Sequence, residues 1–330
     1  VGEVSPCEAQ HKEKIPQPKV GIVAVKSTIY GPSGICFDPS GNLFIADTLH
    51  HRIRRVESRT GRITTVAGNG TDQYSGDDGK ARKAGLDYPV AVVSDTSSNL
   101  YIADYAIGRV RKVSPDGTIK TIAGRTEPTW GETNSEEDPA IHRSIDRPNA
   151  LAIDSRGNLL ILESSRVLRV DTLTGRMTTI AGVKDRRGSA GPPGPANQSH
   201  LDFPSAMALD AAGNLFICDQ GNYCIRRIDH QSGRIETVYA GTPPTQTTSG
   251  TSIILSSGTA FHAVAVSADN QLYFAENAQV NKMDLSSQRI TVFAGSSKQE
   301  SVGDGGFGLV RWFRRNFRHC DRPGQQRLPR

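Results

Sequence analysis

Gly41-Asn42-Leu43-Phe44-Ile45-Ala46-Asp47 is followed by His51-Arg52-Ile53-Arg54-Arg55-Val56 and then by Thr60-Gly61-Arg62-Ile63-Thr64-Thr65-Val66-Ala67-Gly68. The opening motif returns as Asn99-Leu100-Tyr101-Ile102-Ala103-Asp104 and as Gly157-Asn158-Leu159-Leu160-Ile161-Leu162-Glu163. It appears again as Gly213-Asn214-Leu215-Phe216-Ile217-Cys218-Asp219 and, more worn, as Asn270-Gln271-Leu272-Tyr273-Phe274-Ala275-Glu276. The central leucines stand at 43, 100, 159, 215 and 272, giving steps of 57, 59, 56 and 57 residues. A period this regular denotes tandem units that bury their faces against one another.

Each unit holds four short apolar runs; in the first they are 35–38, 43–46, 52–56 and 63–67. Pro39-Ser40-Gly41-Asn42 supplies turn chemistry between the first two runs, and Thr60-Gly61 between the last two. No segment keeps a helical period over three turns, so the chain is predicted to be all-β. A four-stranded sheet cannot bury both faces alone, and radial stacking solves this as a β-propeller. The repeats start near residues 32, 89, 148, 204 and 261. Residues 1–30 read as an arm with one possible strand over Val20 to Tyr30. The long polar linkers, 69–88, 125–147, 183–203 and 242–260, read as irregular structure.

The motifs Pro32-Ser33-Gly34-Ile35, Gly41 to Asp47, Arg52-Ile53-Arg54 and Ile63 to Gly68 together resemble the NHL repeat. The linker Tyr74-Ser75-Gly76-Asp77-Asp78-Gly79-Lys80-Ala81 resembles that of NHL repeats in secreted bacterial proteins and teneurin-like ectodomains. The resemblance spans 31–306, and it implies a ring that usually closes with six blades. Five are visible. A sixth linker starts at Gly303-Asp304-Gly305-Gly306, but residues 307–330 show no alternation. Shifted by one base, residues 318–330 admit codons that spell the first two strands of another repeat. The tail 307–330 therefore reads as the frame-shift product of a truncated ring, and the start at Val1 as that of a fragment or processed form. Such a ring, with two sheet faces and an edge uncovered, is expected to aggregate or to be weakly stable.

The net charge is +5, with a pI near 9. Residues 307–330 carry seven arginines and one aspartate, a charge of +6, so residues 1–306 carry −1. A near-neutral repeat region disfavours an RNA-binding NHL domain. No run of about 18 apolar residues is present, so no membrane span is expected.

The acids closing the second run, Asp47, Asp104, Glu163, Asp219 and Glu276, are expected to be structural, accepting N–H groups in the turn to the third strand. The recurring cations Arg52, Arg54, Arg109, Arg111, Arg226 and Lys282 are expected to pair with them. No cofactor is expected; calcium at Asp77-Asp78-Gly79 or zinc at histidines is the minor alternative. Cys218 and Cys224 could face each other across a turn. Asn69-Gly70-Thr71 and Asn197-Gln198-Ser199 fit the N-glycosylation acceptor.

In a propeller, the linkers and the turns between strands two and three share one face. That face should carry His50, His51, Tyr105, Asn222 and Tyr223 from the turns, and Tyr74, Trp130 and His142 from the linkers. Aromatics on loops held by a rigid scaffold suit a protein or glycan partner. A non-enzymatic, extracellular or periplasmic binding module is the favoured reading. The alternative is a metal-dependent lyase or hydrolase at the central mouth, with His142, His200 and His262 converging.

Overall fold

A computed structural model describes residues 22–125, 138–242, 246–249, 252–255 and 261–295. Among them are five blades of four antiparallel strands, with no α-helix. The fold is the all-β propeller class that the repeat predicts. No helix among these residues is long and apolar enough to cross a membrane. Trp130 and residues 296–330, with the sixth linker and the basic tail, lie outside the described residues.

The chain divides into two compact units, residues 1–122 and 123–330. The first holds blade 1, with strands Pro32–Phe37, Leu43–Asp47, Arg52–Val56 and Arg62–Ala67. It also holds blade 2, with strands Pro89–Ser94, Leu100–Asp104, Arg109–Val113 and Thr118–Ala123, the last of which reaches the boundary. Phe44, Ala46 and Ile53 of blade 1 pack against Val92, Leu100 and Ile102 of blade 2 in one core.

The second unit holds blades 3, 4 and 5, whose first strands are Ala150–Ile153, Pro204–Leu209 and Phe261–Val266. Leu160, Leu162 and Val167 of blade 3 meet Met207, Leu215 and Ile217 of blade 4. Phe216, Cys218 and Ile225 of blade 4 meet Phe261, Leu272 and Phe274 of blade 5. In blade 4 the period-two alternation of the second strand thus feeds two cores, Leu215 and Ile217 on one side of the sheet and Phe216 and Cys218 on the other.

The Asp–Asn spacing of the repeat has a direct cause. Asp38 accepts the N–H groups of Ser40 and Asn42 and, through its other oxygen, the Asn42 carboxamide at 2.8 Å. Asp95 with Asn99, Asp154 with Asn158, and Asp210 with Asn214 repeat this closure of the first hairpin.

The linkers are more ordered than their sequence suggests. Gly79–Lys80, in the linker after blade 1, adds a two-residue strand outside the fourth strand of blade 2. Gly194–Pro195 does the same for blade 4. The N-terminal strand is shorter than expected: Ile22–Val23 pairs with Arg62 and Ile63, and a 3-10 turn, Ala24–Lys26, comes next. Gln246–Ser249 and Ser252–Leu255, before blade 5, form a hairpin of their own. Among the described residues no such strand covers the outer edge of blade 5.

Candidate functional site

The second-strand acids show how the loops are held. Asp47, Asp104 and Asp219 are wholly buried, and Glu163 nearly so. Each accepts the N–H of a residue seventeen positions upstream: Tyr30, Asp87, Asp202 and Asp146, respectively. The expected partner, the turn to the third strand, is therefore corrected to the end of the incoming linker. Turn and linker still meet, because the N–H groups of Leu49, Tyr105, Ser164 and Gly221 donate to carbonyls of Tyr30, Tyr88, Asp146 and Asp202. The two kinds of loop occupy the same end of each of these blades. Glu276 departs from the pattern and takes the Tyr239 hydroxyl and the Asn281 carboxamide.

The third-strand arginines complete these networks. Arg54 Nη1 is 3.2 Å from Asp47 Oδ2, and Arg166 pairs with Glu163. Arg111 and Arg226 stand farther from Asp104 and Asp219, at 3.9 and 3.8 Å. Arg111 instead donates to Asp77 of the linker at 2.6 Å. Burial lifts Asp104 to about 7 against the pull of the Asp87 N–H and Arg111. Burial likewise lifts Asp219 to about 6. For Asp77 burial also acts upward, but Arg111 and the Thr121 and Tyr74 hydroxyls outweigh it and leave the carboxyl below its ordinary value. Arg52 donates to the Asn69 carbonyl, and Arg109 lies over the Tyr74 ring at 3.7 Å. Lys282 lies 5.8 Å over the Tyr273 ring.

Three of the expected binding residues turn into this scaffold. His50 is buried, with Nδ1 2.9 Å from both Asp47 oxygens. Asn222 donates its carboxamide to Asp219. Tyr74 is packed under Arg109 and Arg111 and donates its hydroxyl to Asp77. Cys218 and Cys224 are both free thiols. Cys218 pairs with Ile225 and Asp219 with Cys224, so the two cysteines sit on opposite faces of the sheet.

His51, Tyr105 and Tyr223 remain partly exposed on the turns, and His142 is exposed on the 3-10 turn Ala140–His142. Beside them stands a set that the sequence reading missed. The residue before the repeat proline has positive φ in four blades: Gly31 at 60°, Tyr88 at 54°, Arg147 at 50° and Phe203 at 45°. Each precedes a proline. The left-handed region costs an L-residue about 1–2 kcal/mol, and a following proline narrows the choice further. Tyr88 and Phe203, held in this strained conformation, are 41% and 45% exposed. His51, itself at φ 53°, meets the Tyr88 ring edge-on with centroids 5.4 Å apart. Arg187 lies 3.8 Å above the Phe203 ring. An aromatic one residue before the repeat proline, at Tyr88 and at Phe203, was the available signal.

Among the described residues no three of His, Cys, Asp and Glu stand where they could hold a metal ion, so His142, His200 and His262 are not brought together.

Comparison with known proteins fits this geometry. A family model described as Teneurin NHL domain matches residues 1–114. The chain is an NHL-repeat β-propeller. Mouse Teneurin-1 is 26% identical over 238 residues, 65% of this chain. Mouse Teneurin-3 is 30% identical over 213 residues, 58% of this chain. The NHL propeller spans about 8% of the length of the curated teneurins it matches. Among solved structures, a propeller in a nidogen/laminin complex superposes with TM-score 0.53 at 16% identity, covering 79% of this chain and 78% of that one. A streptogramin B lyase structure gives 0.52 at 12%, covering 82% and 71%. At these identities the two structures share the fold alone.

Proposed function

We propose that this NHL propeller is a non-enzymatic binding module that takes a protein or a glycan on its loop face. The observation that carries the reading is the pair Tyr88 and Phe203, aromatic side chains kept exposed at positive φ on rigid blades. Keeping them there costs stability, and strain of this kind gathers at ligand clamps. Tyr and Phe supply contact area at little entropic cost. In the first unit His51 and Tyr105 stand on the same loops as Tyr88, and in the second Tyr223 and His142 stand on the same kind of loops as Phe203. A propeller of this fold in a nidogen/laminin complex supports a protein partner. The linker at 74–81, with its likeness to linkers of secreted and ectodomain repeats, supports an extracellular or periplasmic setting.

The test is to titrate fluorescently labelled chain onto cultured cells, untreated, trypsin-treated or glycosidase-treated. Saturable binding is expected. Loss after trypsin alone assigns a protein partner, and loss after glycosidase assigns a glycan. Non-saturable binding on all three preparations contradicts the proposal.

A further inference from the structure

The two glycosylation-acceptor triplets look alike in sequence, but the fold treats them differently. Asn69 is built into the scaffold. Its Nδ2 donates to the Lys83 carbonyl at 3.1 Å, and its Oδ1 accepts both the N–H and the hydroxyl of Thr71 at 2.8 Å. Its backbone N–H donates to Ala84, and its carbonyl accepts from Arg52. An oligosaccharide on Nδ2 crowds the contact with Lys83.

Asn197 has none of these ties. It sits in the 3-10 turn Ala196–Gln198, is exposed, and its carboxamide makes no hydrogen bond among the described residues. Ser199 fixes the turn by donating its hydroxyl to the Ala196 carbonyl at 2.7 Å. Directly upstream, Gly194–Pro195 pairs with Ile235 and Arg234 on the outer edge of blade 4. Asn197 thus stands on the outer rim of its blade, while Phe203 stands at the start of the first strand.

We propose that Asn197 is an N-glycosylation site and that Asn69 stays unmodified. The inference rests on the extracytoplasmic setting proposed for the chain, and not on ligand binding. The donor is a lipid-diphosphate-linked oligosaccharide. Asn197 Nδ2 forms a bond to the anomeric carbon, and the bond from that carbon to the diphosphate oxygen breaks. The lipid diphosphate departs, and one amide proton passes to a base of the transferase. The sequence requirement is the Asn-x-Ser/Thr triplet with x other than proline, met here by Gln198.

The 330-residue chain, behind a cleavable secretory leader, is expressed in cultured mammalian cells. The secreted pool and the pool retained in the endoplasmic reticulum are both digested with peptide-N-glycosidase and mapped by mass. One enzyme-sensitive oligosaccharide is expected, on the peptide containing Asn197. It disappears in Asn197→Gln and Ser199→Ala and persists in Asn69→Gln. No enzyme-sensitive mass in either pool, or a glycan on Asn69, overturns the assignment. Forcing the chain into the secretory pathway separates this result from any failure to find a partner.

Discussion

Arg111 of the third strand of blade 2 reaches past Asp104, 3.9 Å away, to donate to Asp77 at 2.6 Å. It thereby ties the linker to the blade. Arg111 also donates to the carbonyls of Gly85 and Ser75. Removing the guanidinium strands a buried carboxyl, and breaking such a pair costs about 3–5 kcal/mol. Arg111→Ala should therefore lower the urea midpoint sharply. Asp77→Asn, which leaves the backbone acceptors in place, should cost about 1–3 kcal/mol.

Asp104 links stability to pH. Its carboxyl is raised by burial from 3.8 to about 7, and its Oδ2 has no hydrogen-bond partner. Below pH 3.8 the contribution is fully present, because both the folded and the unfolded chain hold the proton. As pH rises through about 7 the contribution is lost, because the folded state must ionise a buried acid. The melting temperature should fall between about pH 4 and 7, and Asp104→Asn should flatten that fall. Asp219, raised to about 6, leaves a remnant that ends at lower pH.

The five-blade plan was legible because the hydrophobic pattern and the Asp–Asn turn pairs repeat with the chain. The proposed binding surface was not, because it depends on backbone conformation. Gly31, Tyr88, Arg147 and Phe203 share a positive φ but no common side chain. The acids were expected to accept N–H groups of the next turn, yet their N–H partners lie seventeen residues upstream and become adjacent only when the linker folds back.

Tyr88→Gly should separate stability from binding. Glycine carries no penalty at φ 54°, and Gly31 already occupies the equivalent place in blade 1. The variant should gain up to about 1 kcal/mol from relieved strain, less whatever backbone entropy glycine adds to the unfolded chain. Thermal unfolding should show equal or higher stability while cell binding weakens.

Gly68 shows the opposite response. At φ 88°, a Cβ there would lie 2.2 Å from the His51 carbonyl oxygen. Gly182 repeats the conflict against Ser165, at 2.1 Å. Either glycine changed to alanine should cost more than about 2 kcal/mol in a denaturant titration, since strain and overlap add.

The outer strand of blade 5, Ile290–Gly295, exposes Ile290, Val292 and Phe293. An uncovered, uncharged edge is a template for association. Val292→Lys should reduce light scattering on concentration while leaving the melting temperature within about 1 °C, as is usual for a surface change away from special features.

Mapping the face of the blade that carries binding tests the account most directly. Tyr88→Gly with Phe203→Gly alters the loop face. Leu173→Asp alters the opposite end, where Leu173 is 95% exposed in the turn between the third and fourth strands of blade 3. Titrated onto the same cells, the double variant should bind at least about tenfold more weakly, a loss of about 1.4 kcal/mol, and Leu173→Asp should match the unaltered chain. Unchanged binding by the double variant, with loss in Leu173→Asp, would contradict the account.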